Sequence, residues 1–117
     1  MRIDAYDFGT ITIDGKAFTN DVKIVNGSVI SDWWRLEGHR LLPADIEDIL
    51  RAVPEILVVG TGEPGLMRVS EEVKGRLAEA GIGLTVKPTR QACSEFNRLV
   101  TDSEDPTKIA FAAHLTC

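Results

Sequence analysis

Three groups of residues have the types and spacing to do chemistry. The first is His114 with Cys117, near the end of the 117-residue chain. An imidazolium lowers the pKa of a neighbouring thiol and makes it a thiolate nucleophile, and the same pair could hold one side of a metal ion. Side chains three apart on a strand point to opposite faces, so this pairing requires the chain to turn after Leu115. His39 could join them only through the fold. The plainer reading is a histidine at a strand end and a terminal thiol.

The second group is the loop Gly60-Thr61-Gly62 with Thr89, Arg90 and Asn97. Glycines after a buried strand let backbone N–H groups approach a phosphate or carboxylate closely. Arg90, at the start of a helix beside that loop, would complete a small anion cradle, and Thr89 is most simply the helix N-cap. Asn97 is an indifferent residue in mid-helix, so its amide is expected to bond a neighbouring loop. Against a phosphate site, no full GxGxxG or P-loop pattern is present. The helix after the glycines also opens on Glu71 and Glu72, which repel anions. The alternative is a turn that needs positive φ.

The third group is Trp33-Trp34-Arg35. Neighbouring strand residues face opposite sides, so one indole can enter the core while the other points outward. An exposed Trp beside Arg35 is a natural contact hot spot. The alternative buries both indoles. Cys93 reads differently. It shares an apolar helix face with Phe96 and Val100, where a thiol is inert core.

The elements that must position these residues follow from the pattern. Residues 1–34 read as β-structure. Thr10–Ile13 alternates and meets Asp14-Gly15, and Val22–Val25 meets Asn26-Gly27. Each dipeptide favours a type I′ hairpin turn, and two in succession predict an antiparallel meander. After Leu42 the register changes. Pro43 opens a helix whose Ile46, Ile49, Leu50 and Val53 share a face, and Pro54 ends it. Ile56–Val59 is a continuous apolar strand of the kind buried on both faces. Ser70 caps a second helix, closed by Gly81. Leu84–Val86 is a strand, Thr89 begins a third helix, Thr101–Thr107 is a loop, and Ile109–Leu115 is the last strand. Alternation of helix and strand from residue 43 onward predicts a largely parallel sheet with helices on its faces.

Composition narrows the function. One domain spanning 1–117 is expected, with a β-meander over 1–34 and helix–strand repeats over 43–117. Thirteen basic and eighteen acidic residues leave a net charge of −5. No basic stripe is present, so nucleic-acid and anionic-membrane binding are disfavoured. No stretch approaches the roughly 20 apolar residues of a bilayer span. The acidic N-terminal residues do not suit a signal peptide, so a cytoplasmic location is expected. The two cysteines form no CxxC pair and no second Cys/His cluster completes a zinc site, so neither metal nor cofactor is expected.

Several stretches taken in order carry a family resemblance. They are Asp32-Trp33-Trp34-Arg35 with Gly38-His39 and Pro43-Ala44-Asp45; Val58-Val59-Gly60-Thr61-Gly62; Thr89-Arg90-Gln91-Ala92 with Glu95–Leu99; and His114-Leu115-Thr116-Cys117. Together they resemble the family of the adipogenesis-associated domain protein and, more distantly, a mitochondrial complex I assembly factor. The resemblance implies a three-layer α/β fold with a mixed central sheet and an added β-hairpin. It implies no established catalysis and points to assembly or regulatory roles. Many relatives carry a short Glu-Gly-Arg-like turn where this chain has Asp102-Ser103-Glu104-Asp105-Pro106-Thr107, so a contact through that turn is not carried over.

The expected function is a non-enzymatic binding or assembly module, self-associating or with a protein partner, presenting Trp33 or Trp34 and Arg35. The alternative is a protein for a small anionic metabolite, or a minor enzyme. Its pocket would lie between the Gly60–Gly62 loop and the helix starting near Thr89, with His114 or Cys117 supplying the chemistry.

Overall fold

Asp14 and Gly15 have φ of 48° and 80°, and Asn26 and Gly27 have φ of 52° and 75°. Both dipeptides therefore make the positive-φ turns their chemistry favours, and each closes a hairpin. The computed structural model describes residues 1–117 as ten strands and three α-helices. In chain order these are β1 (Ile3–Asp7), β2 (Thr10–Ile13), β3 (Lys16–Phe18), β4 (Val22–Val25), β5 (Ser28–Ile30) and β6 (Arg40–Leu41). A 3-10 turn (Pro43–Ile46) leads into α1 (Glu47–Ala52), followed by β7 (Ile56–Thr61), β8 (Arg68–Val69), α2 (Glu71–Glu79) and β9 (Gly83–Lys87). The chain closes with α3 (Thr89–Asp102), a second 3-10 turn (Pro106–Lys108) and β10 (Ile109–His114).

The two hairpins do not form one meander. The chain breaks pairing after Phe18, so β1-β2-β3 is a separate antiparallel sheet while β4 and β5 join the central one. The central order is β5-β4-β10-β7-β9. Pairs β10–β7 and β7–β9 are parallel, and β4–β10 and β4–β5 are antiparallel. The expected mixed sheet is present, and its parallel half is the part threaded by helices. A further parallel pair, β6–β8, lies outside it.

Alternation along the central strands splits the core in two. Val58, Phe111 and Ala113 pack toward α3 and the β1–β3 sheet, against Phe96, Ala92, Ile11 and Ile13. Leu57, Val59, Ala110 and Ala112 pack toward α1 and α2, against Ile46, Ile49, Val73 and Leu77. A strand buried along its length needs cover on both faces, which is why β10, buried throughout, and β7, buried from Leu57 to Thr61, sit side by side inside the sheet. α1 matches its apolar spacing at Ile46 and Ile49, but Val53 is its left-handed C-cap, half exposed.

Helix ends follow local chemistry with one exception. The Ser70 hydroxyl accepts from the Val73 amide, and Gly81 takes a φ of 74° just beyond the last turn of α2. α3, however, has Pro88 at its N-cap, and no side chain caps it. Thr89 is its first helical residue, and the hydroxyl expected to cap the helix is bonded elsewhere. No helix is long and apolar enough to cross a membrane.

Candidate functional site

Strand β7 is followed in sequence by β9 on one side and then by β10 on the other. The carboxyl ends of β7 and β10 therefore flank a switch point, the place where open α/β sheets bind ligands. Thr61 and His114 are register partners there. Asp21, at the entrance to β4, and Arg35, from the segment after β5, converge on His114. Arg35 Nη1 donates to Asp21 Oδ2 at 2.6 Å, and His114 Nδ1 lies 2.8 Å from the same oxygen. The Leu115 amide donates to Asp21 Oδ1 at 2.7 Å, and Arg35 Nη2 donates to Gly38 O at 2.9 Å.

The electrostatics follow from these contacts. Burial works against ionisation of Asp21. Hydrogen bonds from His114, Arg35 and the Leu115 amide outweigh it and hold the carboxyl below its ordinary range. His114 Nδ1 thus faces an acceptor, Asp21 Oδ2, and also a donor, Arg35 Nη2, at 2.9 Å. His114 Nε2 and Arg35 Nε are buried without a hydrogen-bond partner. His39 meets the His114 ring edge-on, with centroids 6.1 Å apart.

A carboxylate orienting an imidazole is half of a base-and-nucleophile pair. The other half is not assembled. His114 bonds Asp21 and Arg35, Cys117 is an exposed free thiol, and no group of three His, Cys, Asp or Glu side chains is arranged to hold a metal. Cys93, on the core-facing side of α3, is buried, and desolvation pushes its thiol up to about 12.

The cluster sets the pose of the two tryptophans. Trp33 is buried, its Nε1 donating to Asp45 O at 3.1 Å, with the Arg35 guanidinium 5.1 Å and the Lys23 ammonium 5.4 Å from its ring. Lys23 is itself paired with Asp48 at 2.8 Å. Trp34 is left outside and is 82% exposed. Of the two adjacent indoles, one is core and one is surface, as alternation allows, although residues 31–36 are irregular rather than a strand. A cavity of about 280 Å³ opens beside Trp34, walled by Asn20, Asp21, Arg35, Gly38 and His114 among others.

The glycine loop and the start of α3 do come together, and they bond each other. The Thr89 hydroxyl donates to His114 O at 2.6 Å and accepts from the Gly62 amide at 2.8 Å. A Cβ on Gly60 would lie 2.8 Å from Thr89 Oγ1, and one on Gly62 would lie 2.1 Å from Thr116 O. Thr61 is buried, its hydroxyl bonded to Lys87 O. Arg90 pairs with Glu63 at 3.1 Å, donates to Tyr6 O at 3.0 Å and lies over the Tyr6 ring. Asn97 brackets Ile3, accepting from its amide at 2.9 Å and donating to its carbonyl at 2.8 Å. Its partner is thus strand β1 rather than a loop.

Sequence reasoning missed Asp21, which organises the whole cluster. The available signal was indirect: an Arg adjoining a core Trp needs a carboxylate, and Asp21 and Asp32 both lie near the strands that could deliver one.

Comparison with known proteins fits this architecture. The profile of a protein family of unknown function, DUF498/DUF598, matches residues 3–114. The human NADH dehydrogenase [ubiquinone] 1 alpha subcomplex assembly factor 3 is 29% identical over 102 residues. That match covers 85% of this chain and 54% of the relative, so the chain spans about half of that protein's length. A conserved hypothetical protein of Pyrococcus horikoshii OT3 superposes with a TM-score of 0.84 at 28% identity over the full length of both chains. The Xanthomonas campestris protein XCC1710 gives 0.78 at 21% identity, covering 97% of this chain and 83% of that one. With nearly every residue inside the matched span, the chain belongs to the DUF498/DUF598 family of unknown function.

Proposed function

We propose that this protein is a non-enzymatic binding or assembly module whose contact surface centres on Trp34. The observation that carries this reading is one indole left 82% exposed on a pedestal that is itself buried and hydrogen-bonded. Arg35, with a side chain only 4% exposed, ties the segment to Asp21, and Trp33 ties it to Asp45. A rigid, exposed aromatic side chain loses little entropy on binding and offers a large apolar area, the properties of an interface anchor. Other exposed apolar residues lie toward the same end. The Leu66 amide bonds Cys117 O, and Gly9, next to Phe8, bonds Leu115 O. Leu66 and Phe8 are 54% and 58% exposed. The human relative is by its name an assembly factor, which supports a role in protein contacts.

The direct test is photo-crosslinking from a benzophenone side chain at position 34, with position 53 as an exposed control. A product formed in cells from 34 and not from 53 is expected. Equal yields from both would overturn the reading. A sedimentation dilution series then separates self-association from a foreign partner.

A second reading, a small-anion site at the start of α3, is favoured by one cavity of about 320 Å³ lined by Lys87, Arg90, Gln91, Ser94, Glu95 and Arg98. Binding there requires the anion to displace Glu63 from Arg90. A thermal-shift screen with phosphorylated metabolites tests it, the expected rise being lost in Arg90→Gln.

A further inference from the structure

We propose that the cavity beside Trp34 receives a single neutral aromatic side chain of a partner protein, together with a backbone N–H that donates to the Asn20 side-chain oxygen. This rests on the reading of Trp34 as the contact surface and adds the chemistry of what docks there.

Four observations select that occupant. Size is the first. At about 280 Å³ the cavity falls at or below the lower end of sites for drug-sized ligands, roughly 300–1,000 Å³. One large side chain suits it better than a cofactor. Charge is the second. Asp21 and Arg35, the oppositely charged pair of the wall, neutralise each other at 2.6 Å. No net charge remains to compensate the lost hydration of a charged ligand, so neutral groups are preferred.

Shape is the third. The exposed Trp34 indole forms one wall, and a flat partner ring can stack on it or meet it edge-on. The fourth is an unmade hydrogen bond. Arg35 spends Nη1 on Asp21 and Nη2 on Gly38 O, and its Nε is buried, so it presents no free donor at the surface. Asn20, also in the wall, spends its amide nitrogen on Asp32, leaving its oxygen to accept a partner's N–H. A peptide segment offers such an N–H beside its side chain.

The test uses the whole chain and N-acetyl-tryptophanamide as the probe, followed by ¹⁵N NMR of the indole, side-chain amide and guanidinium signals. Saturable shifts of Trp34 Nε1 and the Asn20 side-chain amide are expected, with N-acetyl-lysinamide and acetate leaving both in place. Trp34→Leu, at an exposed position that folding does not depend on, should weaken the probe about tenfold, the effect of losing an aromatic pair. Absence of any shift with N-acetyl-tryptophanamide overturns the proposal. So does an acetate shift of Arg35 Nε at equal concentration, which would make the cavity an anion site. If position 34 crosslinks a partner while the cavity stays silent to the probe, the contact surface stands and only this inference falls. If the probe binds and no crosslink forms at 34, the contact-surface reading fails instead, and with it the assignment of a protein as occupant.

Discussion

Asp21 gathers Arg35, His114 and the Leu115 amide from two separate parts of the chain, and its loss should be felt accordingly. Asp21→Ala leaves the Arg35 guanidinium buried without its counter-ion, and removing one partner of such a pair costs about 3–5 kcal/mol. Urea unfolding at neutral pH measures that. The wild-type carboxyl is lowered in the fold from an ordinary 3.8. Its contribution is therefore complete above that value and is lost as pH falls through the lower folded one, and Asp21→Asn should flatten that acid limb. At alkaline pH the sign reverses. Desolvation pushes Tyr6 from 10.0 and Cys93 from 9.0 up to about 12 each, so the unfolded chain releases these protons first. Stability is full below pH 9 and declines as pH rises toward 12, and Cys93→Ala should remove part of that slope in urea midpoints measured from pH 8 to 11. Trp34 and Arg35 were legible from residue type and adjacency. Asp21 was not, because its bonds span 14 residues to Arg35 and 93 to His114, distances no local pattern encodes.

The docking of α3 onto the sheet turns on one polar side chain. Thr89 bridges the Gly62 amide and the His114 carbonyl, both at buried sites, so Thr89→Val should cost about 1–3 kcal/mol despite its matched shape. Thr89→Ser keeps the hydroxyl and should recover most of that. Glycines give a paired contrast. Gly62→Ala puts a methyl 2.1 Å from Thr116 O at a φ of 95° and should be severely destabilising. Gly75→Ala, inside α2 with nothing within 4 Å, should instead stabilise by about 0.5–1 kcal/mol. Thermal melts of the two variants should move in opposite directions. Hairpin turns at Asp14-Gly15 and Asn26-Gly27 and the caps Ser70 and Gly81 were readable because a local steric or hydrogen-bonding rule fixes each. The split of the β-region between two sheets was not, since both hairpins carry the same alternation and only tertiary packing chooses their partners. Two-residue strands such as β6 and β8 are too short to show any period. Thr89 was read as a cap from helix chemistry alone, but a tertiary pair of bonds outcompetes the cap.

Taken whole, the molecule buries its two-layered apolar core and leaves one large indole outside, fixed from beneath. Trp34→Ala should therefore hold stability within about 0.5 kcal/mol of wild type, as an exposed substitution does, while abolishing contact with a partner. Val53, exposed on the far end of α1, serves as the control. The decisive measurement is quantitative capture from native lysate with wild-type, Trp34→Ala and Val53→Ala baits side by side. The expected result is at least one protein, or this chain itself, held equally by wild type and Val53→Ala and reduced about tenfold or more by Trp34→Ala, as for a hot-spot residue. An identical set of retained proteins on all three baits would contradict Trp34 as the contact surface.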